Sequence, residues 1–467
     1  MPINSFDDYP MSWRPKKEEL KRPYYISLAD LMEQDIRTGK LAPNAKLPPQ
    51  RELADFLDLN LSTISKTYKL CEARGLVTAV VGRGTFVTLH APVTTSVVEE
   101  HPGANIELGT IYPFYEHNAI VRDVARDILS QDDSAKLFEY ADPLGSKRQS
   151  AIGAKWLKHL GVDADGEDTI IASGVQNALA DLLVSLFEPG DKIVVDEYTY
   201  PNFISLCSLL HLHLIPLGEG EGGLDVEALE NICITQKPQG IYLMPSGSNP
   251  TNVSLSGKVK EQVADIVKRY GLIVLEDDNY SALLEGPLDP LVNYLPDSCV
   301  YISGFSKPVC SGLRIAYMRV PRRLREKVVH GAVSQNLKIP SLNIEIATQL
   351  VERGLTASIA KDKRRLSIER NGIFKEVFPE SACHDVSFCQ WIDLPDGCTG
   401  KSCEVALANQ GVNVFGAERF AASGDASAAH LRIATCSPST ASELRRGLGL
   451  VRSYLDSFGQ STPRFIV

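Results

Sequence analysis

The sequence predicts a multidomain protein, in which a small, mostly helical N-terminal domain precedes a large α/β domain with a mostly parallel sheet. In the first 90 residues, three short amphipathic patterns at helical spacing precede a hairpin pattern. From about residue 105, apolar runs typical of buried strands alternate with amphipathic helical stretches. Between them lies an aperiodic segment rich in Pro, Thr and Glu. We therefore expect domains at 1–88 and 106–467, joined by a linker at 89–105.

Composition and charge narrow the class of protein. The 467-residue chain has no apolar run near the roughly 20 residues of a membrane span, and its N-terminus lacks the apolar core of a secretory signal. Its ten cysteines include no C-x-x-C pair, which argues against a zinc site and for reduced thiols in the cytoplasm. Residues 1–90 hold 13 Lys/Arg against 11 Asp/Glu, while the whole chain carries −10. A slightly basic head on an acidic body is compatible with a small nucleic-acid-binding module.

The N-terminal patterns give three helices and a hairpin. "ISLADLMEQDIRTGKL" and "QRELADFLDL" each place apolar residues on one face, and "STISKTYKLCEARGL" follows after a tight turn. "VTAVVGRGTFVTL" reads as two short strands joined by "GRG". This order of elements is the plan of a winged helix-turn-helix domain.

Over residues 22–88 the chain resembles the GntR family of bacterial winged-helix repressors, through "LPPQRELADFL", "STISKTYKLCEARGLV" and "GRGTFV". The resemblance implies double-stranded DNA as a partner, bound through phosphates, base edges and the minor groove by Arg51, Ser62, Thr63, Lys66 and Arg83. Leu61 replaces an arginine that family members usually carry after the turn, which should weaken phosphate contact or alter base preference. The alternative is a helical packing domain that binds no DNA.

In the large domain, polar clusters follow the predicted strands where those strands end. Ligands of parallel α/β sheets bind at these carboxyl ends. "SGVQNAL" offers a helix N-terminus for phosphate, and "DEYTYP" adds an aromatic side chain. Taken alone, each cluster could be a solvated loop. The hypothesis of a shared ligand site rests instead on the whole set: Tyr200, Asn249, Asp277, Asp278, Tyr280, Ser306, Lys307 and Arg314.

Together these residues suit a pyridine ring that carries an aldehyde and a phosphate, as in pyridoxal 5′-phosphate. Lys307, flanked by Ser306, would form the Schiff base, and Asp277 would pair with the pyridinium nitrogen. Arg314 would neutralise the phosphate and Tyr200 would stack on the ring. The phenolic oxygen would accept hydrogen bonds from Asn249 and Tyr280.

Over about 105–460 these motifs resemble class I/II aminotransferases of fold type I. The resemblance implies a large part at about 165–335 and a small part formed by 106–160 with 340–467. It also places Gln176 and the amide of Val175 on the phosphate.

The same resemblance extends to the dimer and the effector. Tyr140 would reach the phosphate of a neighbouring subunit, which implies a homodimer, and Arg432 would bind the carboxylate of a substrate or effector. Two departures concern the phosphate ligands, because Val175 and Gly304 stand where the family usually has Ser or Thr. A third is "DVSFCQW", where a Gly-Gly stretch is usual.

A GntR-like head on an aminotransferase-like body resembles the MocR group of regulators. This implies a cytoplasmic transcription factor that binds pyridoxal phosphate and senses the cofactor or its adduct with an amino acid or amine. One alternative is a working aminotransferase with an accessory head, which Lys307, Asp277, Tyr280 and Arg432 favour and the missing hydroxyls disfavour. Another is an interaction protein built on an emptied enzyme fold. Amino-acid turnover, sequence-specific duplex binding or an empty large domain would distinguish the three.

Overall fold

The structure, a computed structural model, divides into two compact units, residues 1–102 and 103–467, and the division falls in the segment interpreted as a linker. Its described residues are 11–17, 20–21, 23–37, 40–41, 45–73, 76–80, 84–87, 105–140, 142–286, 288–423 and 429–459. Arg83 and linker residues 89–104 lie outside them.

In its described residues, the first unit contains three helices and a two-stranded antiparallel hairpin. The helices are α1 (Tyr24–Arg37), α2 (Gln50–Leu57) and α3 (Leu61–Ala73), and the strands are β1 (Val77–Val80) and β2 (Gly84–Val87). Leu28, Leu53 and Ile64 contribute to one shared core because each helix turns its apolar face inward. The order of these elements matches the winged helix-turn-helix prediction.

The second unit holds the remaining helices and strands. The helices are α4 (Asn118–Leu129), α5 (Lys147–His159), α6 (Val175–Leu186), α7 (Pro201–Leu209), α8 (Val226–Gln236), α9 (Gly257–Tyr270), α10 (Arg322–Asn336), α11 (Ser341–Glu352), α12 (Leu355–Val377), α13 (Gly400–Ala408) and α14 (Ala441–Gly459). The strands are β3 (Ile106–Glu107), β4 (Thr169–Ala172), β5 (Lys192–Asp196), β6 (His213–Leu217), β7 (Gly240–Leu243), β8 (Ile273–Asp278), β9 (Cys299–Gly304), β10 (Ala316–Arg319), β11 (Gln390–Asp393), β12 (Val412–Asn413), β13 (Phe415–Gly416) and β14 (His430–Ile433).

A seven-stranded sheet forms the centre of this unit, in the order β4-β10-β9-β8-β7-β5-β6. Six of its strands run in one direction and β10 runs in the opposite direction, so the prediction of a mostly parallel sheet is confirmed. The β-branched and other apolar residues of β5 and β7 to β9 are buried because helices cover both faces. The parallel strands therefore end at one edge, where the polar residues after β5, β7, β8 and β9 meet.

A smaller sheet, β11-β14-β13, lies with α13 and α14 on a separate core that includes Phe374, Leu431 and Leu448. The sequence interpretation assigned all of 106–160 and 340–467 to this small part, and that assignment is too broad. Helices α4, α5 and α11 pack on the core of the large sheet, since Val121, Trp156 and other apolar residues face it. No described helix is long and apolar enough to cross a membrane.

Candidate functional site

Lys307 lies just beyond the end of β9, where the chain turns through small residues. Its amine donates a hydrogen bond to the carbonyl oxygen of Ile111 at 3.3 Å. Burial away from water, together with the smaller effect of the nearby Arg432 and Arg314 guanidinium groups, lowers the pKa of this amine from 10.5 to about 8. A lysine with this pKa is partly neutral near physiological pH, as attack on an aldehyde requires.

Residues 109–113 form an extended segment whose alternate carbonyl groups meet three cationic side chains. Arg432 Nη2 donates to the oxygen of Gly109 at 2.5 Å, and Lys363 Nζ donates to the oxygen of Pro113 at 3.1 Å. The oxygen of Ile111, between them, accepts from Lys307. This segment begins a few residues after the predicted linker. Its carbonyl groups therefore accept hydrogen bonds from Lys307 and Arg432, the side chains expected to contact the cofactor and the effector.

The N-terminus of α6 and the side chain of Arg314 form a candidate phosphate cradle. Gly174, at φ 87°, precedes the helix without a side-chain cap, which leaves the amides of its first turn facing outward. A Cβ on Gly174 would lie 2.7 Å from Arg314 Nη2, so glycine permits the guanidinium to approach the helix. Arg314 also donates to Ser306 Oγ at 3.0 Å, and Gln176 Oε1 is buried without a hydrogen-bond partner.

Val175 and Gly304, the two departures from the usual phosphate ligands, are complementary in shape. A Cβ on Gly304 would lie 2.5 Å from Cγ2 of Val175 and 3.0 Å from the side-chain oxygen of Asn279. The isopropyl group of valine therefore fills the space that a serine at position 304 would need. The two changes are linked by packing, and the hydroxyl ligands are replaced by an apolar contact.

Asp277, the last residue but one of β8, has a buried carboxylate held by two donors. Tyr242 Oη donates to one oxygen at 2.8 Å, and Asn279 Nδ2 donates to the other at 2.6 Å. Burial raises the pKa of this carboxyl group to about 7, and the neighbouring Asp278 adds to the shift. A cationic ring nitrogen would relieve this penalty, so the carboxylate is prepared for a positively charged partner.

Tyr200 and Tyr280 both lie close to Asp277 and Arg432, whose charges act on their hydroxyl groups. Burial raises the pKa of Tyr200, as does the charge of Asp277, and Asn202 Nδ2 donates to its hydroxyl at 3.1 Å. Burial raises the pKa of Tyr280 well above its usual value, so this hydroxyl remains a donor. Tyr280 also packs edge-on against Phe388.

Arg432, on β14, is bound to the predicted cofactor-contacting loop. Its Nη1 donates to Asn249 Oδ1 at 2.8 Å, while its Nε is buried without a hydrogen-bond partner. The guanidinium lies 4.7 Å from the ring of Phe420, and its side chain is 5% exposed. A buried guanidinium with an unused N–H suits a bidentate anion such as a carboxylate.

Tyr140 lies apart from these residues. Its side chain is 87% exposed, and it borders a surface cavity of about 510 Å³ next to Phe138 and Leu337, which are also exposed. The tyrosine therefore does not belong to the site of its own chain, and the expectation that it serves a neighbouring subunit stays a prediction.

In the first unit, the predicted DNA contacts lie on α2 and α3. Arg51, Ser62 and Lys66 are exposed and Thr63 is half-buried. Lys66 Nζ lies 5.9 Å from the ring centroid of Tyr25, which limits its orientations. Ser65 Oγ donates to Gln50 Oε1 at 2.7 Å and ties the two helices together.

Sequence reasoning missed Lys363 and Tyr242. Lys363, 1% exposed on α12, donates to the carbonyl oxygens of Pro113 and Lys307, and burial lowers its pKa to about 8. In the sequence it belongs to "KDKRR", a pattern typical of a solvated helix face. Tyr242 lies within the apolar run of β7, and nothing in that run marks its hydroxyl as a partner of Asp277.

These residues fit pyridoxal phosphate in chemistry and arrangement. The uncapped helix end and Arg314 provide a phosphate site, Asp277 lacks a cationic partner, and Lys307 supplies a neutralisable amine. Asp277, Lys307 and Arg432 follow or belong to different strands, yet they are close in space. The charges of Asp277 and Arg432 both act on Tyr200, and the charge of Arg432 also acts on Lys307. The missing hydroxyls at Val175 and Gly304 reduce the number of phosphate ligands without blocking the cradle.

Comparison with known families decides the classification. Residues 107–449 match the family described as aminotransferase class I and II, and residues 25–87 match the bacterial regulatory proteins of the gntR family. The chain belongs to the MocR-type regulators. Both predicted resemblances are thereby confirmed, as is the predicted order of head and body.

Relatives and solved structures agree with this architecture. The chain is 36% identical to the HTH-type transcriptional regulator YdeF of Bacillus subtilis, over 98% of this chain and 99% of that protein. It is 27% identical to the vitamin B6 salvage pathway transcriptional repressor PtsJ of Salmonella typhimurium, over 62% of this chain and 65% of the repressor.

Among solved structures, kynurenine aminotransferase of Pyrococcus horikoshii superposes with a TM-score of 0.70 at 22% identity, covering 76% of this chain and 92% of that one. The α-aminoadipate aminotransferase LysN of Thermus thermophilus gives the same TM-score at 21% identity, with the same coverage of both chains. At these identities the structural likeness establishes the fold.

Proposed function

We propose that this MocR-type regulator binds pyridoxal 5′-phosphate at Lys307 and an amino acid or amine beside it, and that this ligation controls DNA binding by the head. The single observation that carries the proposal is the convergence of Lys307, Asp277 and Arg432 on one buried space. A purely structural role would not require two lysines, an arginine and an acid held only by neutral donors there, because each is costly to bury.

Each residue has a separate task in this proposal. When bound, the cofactor supplies an aldehyde that a lysine can attack and an electron-poor ring. Lys307 provides the attacking amine, and its low pKa increases the neutral fraction. Asp277 holds the proton on the ring nitrogen, while Tyr200 packs on the ring and excludes water. Arg432 binds the carboxylate of the effector through the N–H groups now used by Asn249 and Gly109.

The 109–113 segment gives the site a route to the rest of the chain. Ligation would remove Lys307 from the oxygen of Ile111, and a carboxylate on Arg432 would compete with the oxygen of Gly109. The segment would then lose two of the three cations that hold it. The chain connects this segment to the head through the linker. Release or retention of the segment is therefore a way in which ligand binding in the second unit can affect the head.

In the head, Arg51, Ser62, Thr63 and Lys66 are proposed to contact the operator. The exposure of Arg51, Ser62 and Lys66 leaves them available to phosphates, and hydroxyl groups at the start of α3 suit phosphate oxygens. The remaining proposed contact, Arg83, would enter the minor groove.

We further propose a cytoplasmic homodimer. The exposed aromatic rings of Phe138 and Tyr140 support this, since exposed apolar side chains that border one cavity favour an interaction surface. In the dimer, Tyr140 would complete the phosphate site of the neighbouring subunit.

The test measures binding of the full-length protein to an operator duplex selected from a random-sequence library, with and without pyridoxal phosphate. We expect sequence-specific binding that changes with the cofactor. Arg51→Ala and Lys66→Ala should each weaken it and reduce the dependence of log K on log salt by about one unit.

A matched control and a competing assay complete the experiment. Lys375→Ala removes a cation that pairs with Asp385 in the second unit and should leave duplex binding unchanged. Absence of any sequence-specific duplex binding would reject the regulator proposal. Rapid transamination of an amino acid with a 2-oxo acid, combined with that absence, would instead favour the aminotransferase alternative.

A further inference from the structure

A second cavity, of about 350 Å³, opens between the large and small sheets of the second unit. Its large-sheet wall comes from the ends of β5, β6 and β7, and its other wall comes from β11 and β14. The predicted cofactor-contacting residues Lys307, Asp277 and Arg432 do not line it. Its volume is within the range of small-molecule sites.

The cavity is acidic from floor to rim. Asp196 lies at its floor and Glu219 and Asp393 lie nearer to solvent, while none of the described lining residues is a Lys or Arg. Within the described residues, the carboxylate of Asp196 accepts one hydrogen bond, a long one of 3.5 Å from Ser248 Oγ. Burial raises its pKa to about 7, and the charge of Glu219 adds to the increase. At the rim, His430 Nδ1 lies 2.9 Å from Asp393 Oδ1, so Asp393 has a partner within the lining. Asp196 and Glu219 form no ion pair with the described residues of the lining.

Aromatic rings form one wall of the same cavity. Trp391 stacks on His430 with 4.9 Å between ring centroids, and Tyr198 lies 5.4 Å from Trp391. Carboxylates beside indole and phenol rings are the groups that bind organic ammonium ions, through charge and through the electron-rich ring faces. Within the described residues, no group of His, Cys, Asp and Glu is arranged to hold a metal ion, which favours an organic cation over a metal.

From this geometry we propose that the cavity is a second ligand site, specific for a small organic ammonium ion. The cation would lie between Asp196 and Glu219 with its apolar part against Trp391. This site is independent of the cofactor proposal, because neither its acids nor its rings contact Lys307.

A ligand here would also lie close to the effector-binding arginine. Ser248 lines the cavity and directly precedes Asn249, while His430 precedes Arg432 by two residues on β14. Asn249 and Arg432 are joined by the 2.8 Å hydrogen bond described above. The second site therefore borders both chain segments that carry this bond.

Isothermal titration calorimetry of the full-length protein with benzyltrimethylammonium tests the proposal. This probe is a quaternary ammonium ion, so it cannot form an imine with an aldehyde at Lys307, and variants of Asp196 and Glu219 assign its binding to the cavity. We expect saturable binding, weaker by about tenfold in Asp196→Asn and by about two- to threefold in Glu219→Gln. The neutral analogue N-benzylacetamide should bind at least tenfold more weakly than the cation.

Controls keep the result interpretable. Glu221→Gln removes an exposed carboxylate two residues from Glu219 that does not line the cavity, and it should bind the probe like the wild type. If Asp196→Asn does not fold, the comparison of Glu219→Gln with Glu221→Gln still tests whether the cavity binds the cation. No saturable binding, equal binding of the neutral analogue, or equal effects of the two glutamate changes would each overturn the proposal.

Discussion

Lys307 Nζ donates a hydrogen bond to the carbonyl oxygen of Ile111 at 3.3 Å, and Lys363 Nζ donates to the backbone oxygen of Lys307 at 3.0 Å. The two lysines thus join the end of β9 to the segment that follows the linker. This relationship ties the site to the segment that follows the linker, and it leads to the first prediction.

Lys363→Met should loosen the 109–113 segment. The change leaves the carbonyl oxygens of Pro113 and Lys307 without their donor, at a cost of about 1–3 kcal/mol. Hydrogen exchange of the amides in 109–113 should become at least several-fold faster. Lys361→Met, at an exposed position on the same helix, is the matched control. Equal exchange in the two variants would show that Lys363 does not hold the segment.

The contact between Val175 and Gly304 predicts a strongly coupled pair. Gly304→Ser places a Cβ 2.5 Å from Val175 Cγ2, so it should lower the free energy of unfolding by about 1–3 kcal/mol. Val175→Ala should relieve this clash, and the double variant should be more stable than additivity allows. Denaturant unfolding of the four proteins of this cycle measures the coupling. Strict additivity would contradict the packing argument.

Leu61→Arg should strengthen DNA binding. Leu61 begins α3 with a side chain 43% exposed, at the position where related heads usually carry arginine. An added cation there should raise duplex affinity at low salt and steepen the log-salt dependence by about one unit. Leu209→Arg introduces the same charge at an exposed leucine in the second unit and serves as the control. A similar gain in both variants would indicate a non-specific charge effect.

The rate of covalent cofactor attachment should depend on pH through Lys307. Burial lowers the pKa of this amine to about 8, and only the neutral form attacks an aldehyde. Below that pKa the rate should rise about tenfold per pH unit, and above it the rate should level off. An exposed lysine would continue to gain up to about pH 10. A rate still rising steeply between about pH 9 and pH 10 would contradict a buried Lys307.

Much of the fold follows from patterns in the sequence. The strands before Tyr200, Asn249, Asp277 and Lys307 are short apolar runs, and helical periodicity lies between them, so a parallel sheet with a polar edge could be predicted. Strand β10 could not be identified in this way, because "AYMR" is too short to distinguish from a loop and its antiparallel pairing depends on the turn at Arg314.

Some contacts at the site could not be predicted from the sequence, for a similar reason. The sequence marks Lys307 and Arg432 by their motifs, but it contains no sign that residues 109–113 bring their carbonyl groups to both. Those contacts join positions almost 200 and more than 300 residues apart, and they depend on packing between separate elements. The role of Lys363 could not be predicted for the same reason, because its burial depends on the packing of the folded core.

Mapping the residue to which the cofactor becomes covalently attached tests directly whether Lys307 binds pyridoxal phosphate. The full-length protein is incubated with pyridoxal phosphate, reduced with borohydride, digested and analysed by mass spectrometry, with Lys307→Ala in parallel. We expect a reduced adduct on Lys307 and a loss of visible cofactor absorption in Lys307→Ala. An adduct on the neighbouring Lys363 alone, or an unchanged spectrum in Lys307→Ala, would contradict it.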